Sequence, residues 1–252
     1  MPPGLNQITA IVLSGGLGTR LQAVLPHLPK PMAPVAGRPF LGWILAYLQH
    51  QYLQKVILST GYRAEVIAAY IVEQAQHPTD FPSSLSVTCV AESEPLGTAG
   101  GFIEALGPNP PSPLGWLVLN GDSLVVTDYT ALASYLEDDS VDGVILGVSV
   151  PDASRYGSLA TDDQGFLTQF AEKRAGQGLI NAGVYLLRPR LVAQFPAQRP
   201  LSFEYDVFPH LLAQKARLRV HGVTAPFLDI GTPDSLAQAE TFIQSHFQFL
   251  LP

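Results

Sequence analysis

The chain predicts an α/β fold: a Rossmann-like, mostly parallel sheet flanked by helices, followed by a small β-rich lid. Three observations predict this. Up to Val150, apolar strand-like runs alternate with helix-length runs, and such alternation implies parallel strands joined by right-handed crossovers. The first run, Ile8–Leu13, empties into a loop holding Gly15, Gly16 and Gly18. After Val150 the strand-like runs become short and are separated by turn residues.

In chain order the candidate strands are Ile8–Leu13, Lys55–Ser59, Leu85–Ala91, Trp116–Asn120 and Gly143–Val150. Helices fill the gaps. The stretch from Pro39 to Gln51 sets Phe40, Trp43, Ile44, Tyr47 and Leu48 on one face, with Pro39 in the first turn. Arg63–Gln74 and Thr98–Leu106 are shorter, and Asp128–Glu137 opens on an acidic cap candidate. Ser158–Thr161, Phe166–Glu172 and Leu179–Leu187 form the β-rich part. Tyr205–Gln214 and Thr232–Ser245 look helical, while Pro108–Pro113 and Gln194–Pro200 read as loops. In such a sheet ligands gather at the carboxyl ends of the strands, and the glycine loop lies at one of them.

At 252 residues and 47% hydrophobic content, the chain fits a single domain with ample core. A net charge of −7 without any basic run makes nucleic acid and anionic membrane poor partners. No apolar run reaches the ~18 residues of a membrane helix. The single cysteine, Cys89, fits a reducing compartment. The Met-Pro-Pro-Gly start has neither a basic nor an apolar leader region. A cytoplasmic location is therefore expected. The histidines include no pair at ligand spacing, so zinc is not expected.

The glycine loop carries the first chemistry. Gly-Gly-Leu-Gly-Thr-Arg-Leu spans 15–21, and Pro-Lys-Pro spans 29–31. Glycines let backbone approach a polyphosphate, and loop N–H groups can cradle its oxygens. Arg20 offers a fork suited to phosphate. Lys30, between prolines, is held on stiff backbone. A Walker A loop is excluded because no Gly-Lys-Ser/Thr follows. A dinucleotide fingerprint is excluded because Leu21 stands where its third glycine belongs, and the second strand ends in Ser59-Thr60-Gly61 rather than an acid.

Two carboxylates follow strand-like runs. Leu117-Val118-Leu119-Asn120-Gly121-Asp122 ends in Gly-Asp, and Phe227-Leu228-Asp229-Ile230-Gly231 repeats the pattern before Thr232-Pro233. Asp122 and Asp229 are suited to Mg²⁺ beside phosphates. Alone, each also fits a plain turn. Glu172, Lys173 and Arg174 end one run, and Asn181-Ala182-Gly183 opens another: candidates for sugar and sugar-phosphate contacts. The acidic Ser202–Asp206 stretch is accounted for by a helix dipole. In Glu92-Ser93-Glu94-Pro95-Leu96-Gly97-Thr98-Ala99-Gly100, the glycines allow close packing against a flat ligand. The carboxylates, Glu94 first and Glu92 second, suit the donor edge of guanine.

In this order the motifs resemble the sugar-1-phosphate nucleotidylyltransferases, over about residues 8–243. The short spacer from Arg20 to Lys30, Lys-Pro-Met-Ala-Pro-Val at 30–35, Glu-Lys-Arg at 172–174 and Glu-Pro-Leu-Gly-Thr-Ala-Gly at 94–100 look most like the D-glycero-D-manno-heptose 1-phosphate guanylyltransferases. Mannose-1-phosphate guanylyltransferases share the last motif. The resemblance implies Arg20, Lys30 and Asp122 in catalysis. It implies Leu13, Gly15, Gly16, Gly18, Thr19, Glu94, Gly97 and Thr98 on the nucleotide, and Glu172, Lys173, Asn181 and Gly183 on the sugar phosphate. Asp122 and Asp229 would hold Mg²⁺. The expected substrates are GTP and a manno-heptose or mannose 1-phosphate. Residues 1–150 would form the nucleotide half and 151–252 the sugar half. Ser14 departs from the family's usual alanine. Other readings are uridylyl or thymidylyl transfer to another sugar 1-phosphate, or a catalytically silent nucleotide-sugar-binding subunit. A homo-oligomer is compatible with the chain.

Overall fold

The computed structural model describes residues 4–81, 84–108, 114–171 and 175–250. The expected contacts Glu172 and Lys173 lie outside these residues, as do Arg174, most of the Pro108–Pro113 loop and the first three residues. The elements are β1 (Thr9–Ser14), β2 (Pro34–Val35), β3 (Arg38–Pro39), α1 (Phe40–His50), β4 (Lys55–Thr60), α2 (Ala64–Gln76), β5 (Ser86–Ala91), α3 (Thr98–Leu106), β6 (Trp116–Asn120), β7 (Ser123–Val125), α4 (Thr130–Ser134), β8 (Gly143–Val150), β9 (Ser158–Thr161), β10 (Leu167–Ala171), β11 (Gly178–Leu187), α5 (Pro189–Val192), α6 (Phe208–Ala213), β12 (Leu218–Val223), β13 (Phe227–Asp229) and α7 (Pro233–Leu250).

One sheet organises the fold, in the order β10-β9-β11-β6-β1-β4-β5, with β8 pairing β11 and β12 pairing β8. β1 lies parallel between β4 and β6, and β5 extends the parallel part. β11 then runs antiparallel to β6. The β-rich part expected after Val150 thus joins the central sheet through β11, and β9 and β10 form its far edge. No described helix is long and apolar enough to cross a membrane.

Alternation along the strands sorts the core into two layers, because successive strand residues point to opposite faces. Ala10 and Val12 pack with Phe40, Trp43 and Tyr47 of α1 and with Ala239 and Ile243 of α7. Ile11 and Val118 face the other layer, with Phe102 of α3 and Phe208 and Leu211 of α6. These strands are buried on both faces, which is why they read as unbroken apolar runs.

Two expected helices differ. The 128–137 stretch is a short α4 followed by a 3₁₀ turn at Tyr135–Glu137. Asp128 precedes the helix as an Asx turn, accepting from the Thr130 N–H at 2.8 Å and its hydroxyl at 2.6 Å. The 205–214 stretch opens as a wide turn at Phe203–Val207 before α6. Pro209 has no N–H to give the Tyr205 carbonyl four residues back, so a regular helical start is not available there.

Candidate active site

The carboxyl ends of β1, β4, β5 and β6 meet at one cleft of about 750 Å³. Leu13, Gly15, Gly16, Gly18, Thr19, Arg20, Lys30, Glu94, Gly97, Thr98 and Asp122 all line it. A second cleft of about 930 Å³ continues from it, lined by Asn181, Ala182, Tyr205 and Asp229 among others. The two share Arg20, Lys30, Asn120 and Asp122 as a common wall. Two compartments therefore open on the same two cations and the same carboxylate.

Asp122 and Asp229 are 107 positions apart in sequence, the difference of their numbers. A two-stranded ribbon brings them together. β7 pairs antiparallel with β13, with Ser123 opposite Asp229, and the Ile230 N–H donates to the Asp122 carbonyl at 2.9 Å. Lys30 forms an ion pair with Asp122, its side chain only 11% exposed. The Gly231 N–H donates to Asp229 Oδ1 at 2.6 Å. Burial pushes the Asp229 carboxyl above the usual carboxylate range, and the Asp122 charge adds to the push; Lys30 and the Gly231 N–H oppose it. Two crowded hard-oxygen donors opposed by one ammonium form a site that gains from a further cation.

That donor set fits a divalent hard cation. Such an ion takes one or two protein carboxylates and completes its shell with phosphate oxygens and water. Among the described residues no group of three or more His, Cys, Asp or Glu side chains could hold a metal, so a metal enclosed by protein ligands alone is not built here.

Arg20 sits in a 3₁₀ turn, Thr19–Leu21, that follows the glycines. It is exposed and faces both compartments.

Of the two base candidates, Glu92 is already engaged. It accepts from Ser59 Oγ at 3.0 Å and from the Leu96 N–H at 3.3 Å, so it shapes the loop. Glu94 is exposed in the glycine-loop compartment. The structure thus separates two carboxylates that look alike in sequence.

Two of the expected glycines make close approaches within the protein. Gly97 lines the cleft, but the close approach it permits is to the protein itself. Its φ is +77°, and a Cβ there would lie 2.6 Å from the Leu201 carbonyl oxygen. That carbonyl accepts from the N–H groups of Ala99 and Gly100 at 2.9 and 3.1 Å. Gly183 lines neither compartment. At φ +71° its missing Cβ makes room for the Asn120 amide. Its N–H donates to Asn181 Oδ1 at 3.0 Å, which orients Asn181. Gly97→Ala is expected to destabilise the fold by about 1–3 kcal/mol, because its backbone region is nearly closed to side chains. Thermal unfolding measures this, and an unchanged midpoint would show that the loop relaxes freely.

Three of the lining residues not singled out in sequence are Arg155, Tyr156 and Gly157, on the second compartment. Arg155 Nη2 donates to Thr232 Oγ1 at 3.4 Å. Their sequence signal is weak, an Arg-Tyr-Gly turn ahead of a short strand. Glu204 and Tyr205 were noticed only as part of an acidic helix start, although both face the second compartment.

A glycine loop at strand carboxyl ends, two basic side chains and a paired carboxylate on one two-compartment cleft define an enzyme that handles phosphate groups of a nucleotide. The nucleotidyl transferase family model matches residues 9–246, and the chain belongs to that family. It is 35% identical to the D-glycero-alpha-D-manno-heptose 1-phosphate guanylyltransferase of Campylobacter jejuni, over 89% of this chain and 95% of that one. It is 32% identical to the mannose-1-phosphate guanylyltransferase of Mycobacterium tuberculosis, over 92% of this chain and 64% of that one. The crystal structure of HddC from Yersinia pseudotuberculosis complexed with GMP-PN superposes with a TM-score of 0.78. That protein is 33% identical, and the match covers 93% of this chain and 98% of that one.

Proposed function

We propose that this enzyme transfers GMP from GTP to a manno-configured sugar 1-phosphate, a heptose 1-phosphate first, giving a GDP-sugar and pyrophosphate. The observation that supports this is the shared wall of the two compartments, where Arg20, Lys30 and Asp122 line both at once. The nucleotide belongs in the glycine-loop compartment and the sugar phosphate in the one lined by Asn181 and Tyr205.

The chemistry needs little from the protein beyond placement and charge. A sugar-phosphate oxygen bonds to the α-phosphorus in line, and the α–β anhydride bond breaks as pyrophosphate leaves. The nucleophile is already an anion, so no general base is required. Holding both reactants in register accounts for much of the acceleration. Arg20 meets the negative charge that develops on the pyrophosphate. Lys30 neutralises phosphate oxygens from a half-closed position. Asp122 and Asp229 would hold Mg²⁺, which when bound offsets charge on the phosphates. On the sugar side, Asn181 would meet hydroxyls. Glu172 and Lys173 are proposed for the sugar and its phosphate. Activated sugars of this kind are made where GTP is held, which fits the cytoplasm.

Base choice follows from Glu94. Guanine offers two adjacent donors, N1–H and N2–H₂, to a carboxylate. Adenine offers an acceptor at N1; uracil and thymine offer one donor between two carbonyls. Competition among equimolar GTP, UTP, dTTP and ATP, run across heptose and mannose 1-phosphates with pyrophosphate release as the readout, tests the reading. GTP is expected to dominate. Equal turnover of UTP or dTTP would remove the guanylyl assignment and leave nucleotidyl transfer standing.

A further inference from the structure

A chain of hydrogen bonds runs behind the cleft from one compartment to the other. Asn181, on the sugar side, donates from Nδ2 to the Tyr185 hydroxyl at 2.8 Å. Tyr185 is fully buried and donates to Glu204 Oε1 at 3.2 Å. The other oxygen of Glu204 accepts from Ser202 Oγ at 3.0 Å and from Thr98 Oγ1 at 3.5 Å. Thr98 lines the nucleotide compartment and opens α3. Its hydroxyl also accepts from the Phe203 N–H at 2.9 Å. The Leu201 N–H donates to the Leu96 carbonyl at 2.7 Å, which straps the same segment to the nucleotide loop.

We infer that Glu204 is a positioning residue that couples the two substrate compartments, holding Thr98 through one carboxylate oxygen and Asn181, through Tyr185, with the other. The Asn181 amide is pinned at both ends, since its Oδ1 takes the Gly183 N–H. One Nδ2 proton remains for a sugar hydroxyl, and its direction is set by the phenol. A shift of Thr98 when a nucleotide enters is passed to that proton through three linked hydrogen bonds. Tyr185 suits the relay because burial first, and the Glu204 charge next, hold its phenol protonated, so it donates as well as accepts. By linkage the coupling is reciprocal: each ligand tightens the other by one common factor, in a range that typically spans 5–150-fold.

The inference rests on the proposed substrates, and its test separates the two. Titration calorimetry on the full chain with Mg²⁺ measures D-glycero-α-D-manno-heptose 1-phosphate affinity with and without the non-transferable α,β-imido analogue of GTP. The wild type is expected to bind the sugar phosphate at least 5-fold more tightly with the analogue present. Tyr185→Phe removes one oxygen from the relay and is expected to cut that factor below about 2-fold while leaving analogue affinity unchanged. Glu204→Gln, which can still bridge, retains the factor, and Glu204→Ala loses it. If Glu204→Ala fails to fold, Tyr185→Phe decides alone. Two ligands that bind the wild type independently, or full coupling in Tyr185→Phe, overturn the inference and leave the function intact. A wild type that binds neither ligand overturns the proposed function, and the coupling with it.

Discussion

Asp122→Asn is expected to lower turnover by two to three orders of magnitude with the fold unchanged, as loss of one electrostatic stabiliser costs roughly 3–4 kcal/mol of barrier. The substitution keeps the shape and removes the charge. Three consequences converge. Asp229 is left as the single carboxylate of the pair, a weaker hold on a hydrated divalent ion. Lys30, 11% exposed, loses its ion-pair partner and its fixed direction. The common wall of both compartments loses its one carboxylate. Because Asp122 raises the Asp229 carboxyl, its removal lets Asp229 titrate closer to an ordinary carboxylate. Circular dichroism and pyrophosphate release measure the two halves of this result. Near-normal turnover in a folded Asp122→Asn protein would remove Asp122 from the reaction.

Arg20→Ala is expected to lower kcat by about 10³-fold, the lower end for an arginine that meets transferring phosphate charge. The KM for GTP should rise far less. Arg20 is exposed on a short turn, so the substitution leaves the core alone. Pyrophosphate gains charge only as the anhydride breaks, so a cation aimed at it acts on the transition state more than on the bound nucleotide. Steady-state kinetics with varied GTP separates the parameters. A rise in KM with kcat preserved would make Arg20 a uniform binder.

The parallel half of the fold was legible because each strand is buried on both faces and ends at glycine or a polar turn. β6 matches its expected bounds residue for residue, Trp116 to Asn120, and β4 extends one residue past its own. β7 and β13, three residues each, are too short to show a period, and their partner is distant in the chain. β12 alternates but its glycine and histidine mask the pattern. The glycine-loop end of the cleft was legible for a local reason: the glycines, Thr19 and Arg20 lie within six residues, and the role proposed for them needs backbone more than partners. The protein neighbours of Gly97 and Gly183 were not legible, because a glycine announces a close approach without naming what approaches. Leu201 and Asn120 are the neighbours, and neither is near in sequence.

What the sequence by itself determined is therefore the longer parallel strands and their helices, the glycine loop and the identity of the charged groups, since these follow from burial patterns and residue chemistry within a few turns of chain. Only the tertiary structure decided which of those groups act together. The β7–β13 ribbon sets Asp229 beside Asp122, Ser59 and the Leu96 N–H engage Glu92 but leave Glu94 exposed, and the turn at 201–204 carries Glu204 between Thr98 and Tyr185. Contact between residues a hundred positions apart depends on how the sheet is paired and closed, and side-chain charge is felt only over the few ångströms that such pairing brings about.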